Sequence, residues 1–158
     1  TITRPYYEVG YVMVVENPAW KQFSDIPRDV PLGPTLGTSA DLRLIQYLNS
    51  LPAERRWRRF PMSTDGDALQ AVVDGKVGAA IVWAPSFSAF VNANPALAGL
   101  HVISSSPLPD STVPVGALML NTSTFLRSNV DQAIQSLVAD GTIGKIIDTN
   151  HFAAKLPQ

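Results

Sequence analysis

Residues 67–91 read DALQAVVDGKVGAAIVWAPSFSAFV. The run from Asp67 to Asp74 predicts a short helix, stopped by Gly75. AAIVWA, 79–84, is too short and too β-branched for an independent helix, so it reads as a central strand. Pro85 then opens a further helix, PSFSAFVNA, because proline is well tolerated in a first helical turn. Helix, strand and helix in succession predict an α/β domain with a mostly parallel sheet flanked by helices.

The flanking segments extend that pattern. VGYVMVV, 9–15, is a β-rich apolar run bounded by Pro5 and by Asn17-Pro18, and reads as a buried strand. From Asn17 to Gly37 the prolines at 18, 27, 31 and 34 rule out a long helix and leave room for a brief strand near 30–36. Leu42, Ile45, Leu48 and Leu51, with Leu44 alongside, give one apolar helical face from about Ser39 to Ser50, ended by Pro52. WRRFPM (57–62), HVISS (101–105) and VGALMLN (115–121) are read as strands. Near the end Val130, Ala133, Ile134, Leu137 and Val138 follow helical spacing, and Gly141 separates them from a helix carrying Ile143, Ile146 and Ile147.

Composition narrows the function classes. The net charge is -1, from 12 basic and 13 acidic side chains, so no overall field recruits nucleic acid or an anionic membrane. No stretch approaches the roughly 18 apolar residues of a membrane span, so membrane insertion is not expected. Zero cysteines exclude disulfides and thiolate metal sites. His101 and His151 lie far apart in the chain and neither has a second histidine at helical ligand spacing, so neither a metal nor a cofactor is expected. No nucleophile elbow and no phosphate-binding glycine fingerprint occurs, so no catalytic residue is assigned.

Two stretches stand out. In ERRWRRF, 54–60, Arg55, Arg56, Arg58 and Arg59 surround Trp57. A solvated edge or a protein contact accounts for them better than a nucleic-acid patch, with Trp57 buried behind. In GPTLGTSADLR, 33–43, Thr38 is placed as an N-cap, and Thr38-Ser39-Ala40-Asp41 is a capping-box variant with aspartate in the place of glutamate. Capping alone could explain the motif. A glycine turn into a helix start also directs N–H groups and two hydroxyls outward, where the dipole favours an anionic or hydrogen-bond-accepting ligand.

The order of segments resembles the type 2 periplasmic solute-binding proteins, in particular the family 3 group of amino-acid receptors of ABC transporters. The matching pieces are RPYYEVGYVMVV, LGTSADL, DALQAVVDGKVGAAIVWAPSFSAFV, VPVGALMLN and ADGTIGKIIDTNHF. The likeness covers nearly the whole chain but only the second half of a usual member. It implies a type 2 lobe with the first lobe absent, divided into a hinge-strand segment (1–16), a second-lobe α/β domain (17–112), and a return strand with C-terminal helices (113–158) that would pack on that first lobe. It further implies a non-catalytic, periplasmic module holding a small-molecule ligand between lobes. Thr38, Ser39 and Trp83 would line the cleft, while Tyr6 and Tyr7 either line it or pack at the hinge.

One departure bears on the ligand. Amino-acid binders of this kind usually carry an aspartate near the end of the central strand for the ligand's ammonium; here the stretch is Val82-Trp83-Ala84-Pro85. An unpartnered ammonium in a dry cleft is costly, so an α-amino acid fits poorly. The Trp83-x-Pro85 ending is similar to the MoxJ and XoxJ subgroup associated with PQQ-dependent methanol and alcohol dehydrogenases, which makes such a dehydrogenase a partner alternative to an ABC permease. Trp83 read by itself fits a core position as well as a ligand platform. Two rivals stand beside this reading: a docking module using Arg55 to Arg59 that has lost small-molecule binding, and a cyclohexadienyl-dehydratase-like enzyme, for which only Asp41 and Asp65 offer an acid. With no first lobe, self-association would be expected to cover the closing helices.

Overall fold

The computed structural model describes residues 1–109 and 112–157. It divides into two compact units, one of residues 11–111 and one of residues 1–10 with 112–158. The boundary falls inside strand β1 (Tyr7–Val15), between Gly10 and Tyr11.

The larger unit is built on β1's second half, β2 (Leu32–Pro34), β3 (Ala79–Trp83) and β4 (His101–Ile103), in the order β2-β3-β1-β4. Helices α1 (Ser39–Ser50), α2 (Asp65–Val73) and α3 (Ala84–Ala93) flank it, which is the expected α/β architecture. The expectation of a mostly parallel sheet needs one correction. β2 and β3 pair in parallel, but β1 runs against β3 and β4, so both pairings that flank it are antiparallel. β2, β3 and β4 therefore share one direction and β1 alone opposes them. The expected strand at 57–62 is reduced to single parallel bridges, Leu32 with Arg59 and Thr35 with Met62.

Strand alternation sorts the core into two layers. Met13, Val15, Ala79 and Ile81 face α1 and pack with Leu44, Leu48, Phe23 and Trp57. Val14, Ala80 and Val82 face the other way, against Ala68, Leu69 and Val72 of α2. Residues 11 and 83 continue the alternation toward α1's side, so Tyr11 and Trp83 are delivered to one face. They are also direct cross-strand partners.

In the smaller unit, β1's first half pairs antiparallel with β5 (Thr112–Val115), matching Tyr7 to Val115. On its other edge Glu8 exchanges backbone hydrogen bonds with Lys155, at 2.7 and 2.8 Å. The strand expected at 115–121 thus lies earlier, and within residues 116–121 only Leu118 bridges back, to Ile2. Helix α4 (Thr124–Ala139) begins six residues before the first periodic apolar position, because Thr124–Asn129 is exposed throughout and its apolar pair, Phe125 and Leu126, does not extend the spaced series that starts at Val130. α5 (Thr142–Thr149) follows a left-handed Gly141, φ 79°, with the Asp140 carboxylate accepting from Thr142 N–H. Within α4 only Ile134 is buried.

Candidate functional site

β2 and β3 run parallel, so their carboxyl ends lie side by side. Open α/β sheets form ligand crevices outside such ends. Thr35 N–H donates to Ile81 O, tying the turn after β2 to the last residues of β3. The turn then bends through Gly37, φ 74°, into α1.

The cap is built from three residues. Thr38 is extended (φ -76°, ψ 162°), and its hydroxyl accepts from Asp41 N–H and donates to Thr35 O. Asp41 does not return to the N–H of Thr38, as a capping box requires; it accepts from Gly37 N–H at 3.0 Å. Its two oxygens also hold Arg59, at 2.5 Å to Nε and 2.6 Å to a terminal nitrogen. The Asp41 side chain is 2% exposed and that of Arg59 25%. Burial alone would raise the Asp41 carboxyl, but the Arg59 and Gly37 hydrogen bonds and the guanidinium charge outweigh it and hold the pKa below the usual carboxylate range. Arg59 is raised in turn, first by its hydrogen bond to Asp41.

The expected outward array is therefore partly corrected. The Thr38 hydroxyl is used inside the cap rather than presented to a ligand. The turn itself is at the surface: Leu36, Gly37 and Ser39 are exposed and Thr38 half-buried. Among the described residues nothing accepts from the N–H of Ser39 or Ala40, and the Ser39 hydroxyl is also unpartnered. With the negative charge of Asp41 compensated by Arg59, the positive end of α1 is left open to solvent.

Trp83 is half-buried at the end of β3, and its ring meets Tyr11 edge-on, with centroids 5.1 Å apart. Tyr11 was not singled out by the sequence, since its partnership with Trp83 exists only in the β1–β3 register. A crevice next to this pair is lined by Tyr11, Met13, Ala40, Ile81 and Leu108. The Val82-Trp83-Ala84-Pro85 corner carries no carboxylate, and Asp65, the other acid considered, accepts from the Thr35 hydroxyl at 2.5 Å.

Tyr6 and Tyr7 belong to the smaller unit. Both are half-buried, packed edge-on at 4.8 Å, and Tyr7 also meets Phe152 at 5.4 Å. Burial, and then Tyr6, push the Tyr7 phenol up. Among the described residues no cluster of three metal-ligating side chains occurs, and no helix is long and apolar enough to cross a membrane.

The arginine stretch also departs from a plain solvated edge. Trp57 is 3% exposed, donates to Ile26 O and stacks on Phe23. Arg59 turns inward to Asp41, while Arg55, Arg56 and Arg58 stay exposed.

No protein-family model matches the chain, and no curated protein sequence matches it. Solved structures do. The L-cystine solute receptor of Neisseria gonorrhoeae, unliganded and open, aligns at TM-score 0.72 and 20% identity over 99% of this chain and 61% of its own. The second substrate binding domain of a putative amino acid ABC transporter from Streptococcus pneumoniae gives 0.71 and 15%, over 97% and 64%. The arginine-, lysine-, histidine-binding protein ArtJ from Geobacillus stearothermophilus gives 0.60 and 20%, over 100% and 64%. The fold is that of type 2 periplasmic-binding proteins. The chain spans 61–64% of the length of these three structures.

Proposed function

We propose that the chain is the second-lobe portion of a non-catalytic, periplasmic solute-binding protein, whose ligand is gripped at the start of α1. The observation that carries this is the pair of unpartnered N–H groups on Ser39 and Ala40, at the tip of a helix seated beside the carboxyl ends of β2 and β3. Two backbone donors, the Ser39 hydroxyl and the helix dipole together suit a carboxylate or another strong acceptor. Thr38 shapes the grip, and Trp83 and Tyr11 supply an apolar wall. The domain division follows the same reading, with residues 1–16 as hinge, 17–112 as lobe and 113–158 as the return to a first lobe. Exposed Leu118, Leu120, Phe125 and Ile146 fit a surface that a further lobe covers.

The aromatic end of β3 favours a ligand without an ammonium group. The Trp83-Ala84-Pro85 corner leaves such a cation no carboxylate at that position, which argues against α-amino acids. It also favours a role beside a PQQ-dependent methanol or alcohol dehydrogenase over delivery of amino acids to an ABC permease. Calorimetry of the protein from its full reading frame, against the standard amino acids and against small carboxylic acids lacking an amine, tests both points. Micromolar binding of an amino acid would overturn the ligand class; binding of an amine-free acid supports it.

A further inference from the structure

The exposed arginines gather at the end of α1 opposite Ser39. Arg56 donates through Nε to Leu51 O and through a terminal nitrogen to Asn49 O, so it sits against the last carbonyls of that helix. Arg58 donates to Asp29 O, and Arg28 to Arg55 O. These bonds bring the 28–29 corner alongside 55–58. The Arg28 guanidinium also lies 3.2 Å over the Trp57 ring. A helix of this length puts the cluster about 18 Å from the Ser39 turn.

Two features separate the cluster from an ordinary solvated face. Among the described residues none of Arg28, Arg55, Arg56 or Arg58 makes an ion pair, although Asp29 and Glu54 stand nearby. Each of Arg28, Arg56 and Arg58 is tethered instead to backbone carbonyls, which hold the guanidinium in place and leave its charge uncompensated. A guanidinium has five donors, so tethering spends one or two and leaves the others outward. Cations already fixed lose little side-chain freedom on meeting an anion, unlike lysines on flexible stems. In a chain of net charge -1 this concentration is local.

We propose that the surface of Arg28, Arg55, Arg56 and Arg58 docks an acidic face of a partner protein, independently of the ligand grip at the other end of α1. Planar, bidentate donors match side-chain carboxylates. The forked donors fit the side-chain carboxylates of an acidic protein surface better than phosphate or sulfate groups set along a rod or a bilayer, and the interspersed Asp29 and Glu54 weaken the attraction for nucleic acid or a lipid surface.

Immobilised poly-L-glutamate provides a defined probe for the purified full chain. Arg55→Glu, whose side chain makes no hydrogen bond among the described residues, and Arg55→Glu with Arg58→Glu are compared with a control of equal charge, Lys145→Glu with Lys155→Glu. We expect the arginine double variant to lose at least about tenfold in affinity, the control no more than about twofold, and wild-type binding to weaken from low to physiological salt. Unchanged thermal melting of Arg55→Glu checks that the fold is kept. Equal losses in the two double variants would overturn the proposal, as would no loss in either. Tighter retention on heparin or phosphatidylglycerol vesicles than on poly-L-glutamate would assign the surface to a different class of partner and overturn it as well.

Discussion

Arg59 holds both carboxylate oxygens of Asp41 from 18 positions further along the chain, with Nε 2.5 Å from Oδ1 and a terminal nitrogen 2.6 Å from Oδ2. The same carboxylate accepts from Gly37 N–H, so one buried pair fixes the turn on which the proposed ligand grip depends. A fork-to-fork pair of this kind adds geometric specificity as well as energy.

Removing one partner tests how far the turn relies on it. Arg59→Ala leaves a carboxylate buried without its cation, which costs about 3 kcal/mol. Arg59→Lys, a point charge without the fork, should recover only part of that. Urea unfolding of the three proteins checks the order wild type, Lys, Ala.

The depressed Asp41 carboxyl gives a pH dependence of definite sign. A folded pKa below the unfolded one adds stability that is fully present above the unfolded value and is lost as pH falls through the folded value. Arg59, raised from an already high value, titrates only in strong alkali and adds nothing on the acid side. Between about pH 5 and pH 2 the urea midpoint of wild type should therefore fall more steeply than that of Asp41→Asn. Parallel slopes would show that other carboxylates carry the acid limb.

Gly37 adopts φ 74°, and a methyl group there would meet nothing within 4 Å. The penalty for Gly37→Ala is then one of backbone conformation alone, about 1 kcal/mol. Gly37→Asn should cost less, since asparagine tolerates the left-handed region. Denaturant midpoints of the two variants check the ranking.

Trp83 is half-buried against Tyr11, so Trp83→Ala combines lost burial with a lost aromatic contact, about 2 kcal/mol. Trp83→Phe should keep most of that stability. If the ring also forms a ligand wall, Trp83→Ala should weaken an acid found by calorimetry more than Trp83→Phe does. Equal affinity in both variants would reduce Trp83 to a packing residue.

Local signals in the chain were easy to read and distant ones were not. Helix α1 runs from Ser39 to Ser50 as expected, because Thr38 at its start and Pro52 beyond its end are both local markers. β3 was recognisable from its β-branched run, and the cap at Thr38 from its residue types. Nothing local shows that Tyr11 meets Trp83, since a cross-strand register is set by the whole sheet. The inward turn of Arg59 was equally hidden: four arginines around a tryptophan look alike until the bridge of Leu32 with Arg59 places one of them above Asp41. β5 was misplaced because the alternating apolar residues after Val115 lie largely on the exposed surface rather than in a sheet.

Substituting Ser39 by proline examines the grip itself. Proline suits a first helical position, and Thr38 already has the extended backbone that precedes one, so Ser39→Pro removes an N–H and a hydroxyl while keeping α1.

The most direct measurement is residue-resolved amide NMR of the protein, titrated with the tightest amine-free acid from calorimetry. We expect the Ser39 and Ala40 amides to show the largest shifts, and Ser39→Pro to weaken binding at least about tenfold while its melting temperature stays close to wild type. Saturable binding that leaves both amides unmoved, with Ser39→Pro as tight as wild type, would contradict a ligand grip at the start of α1.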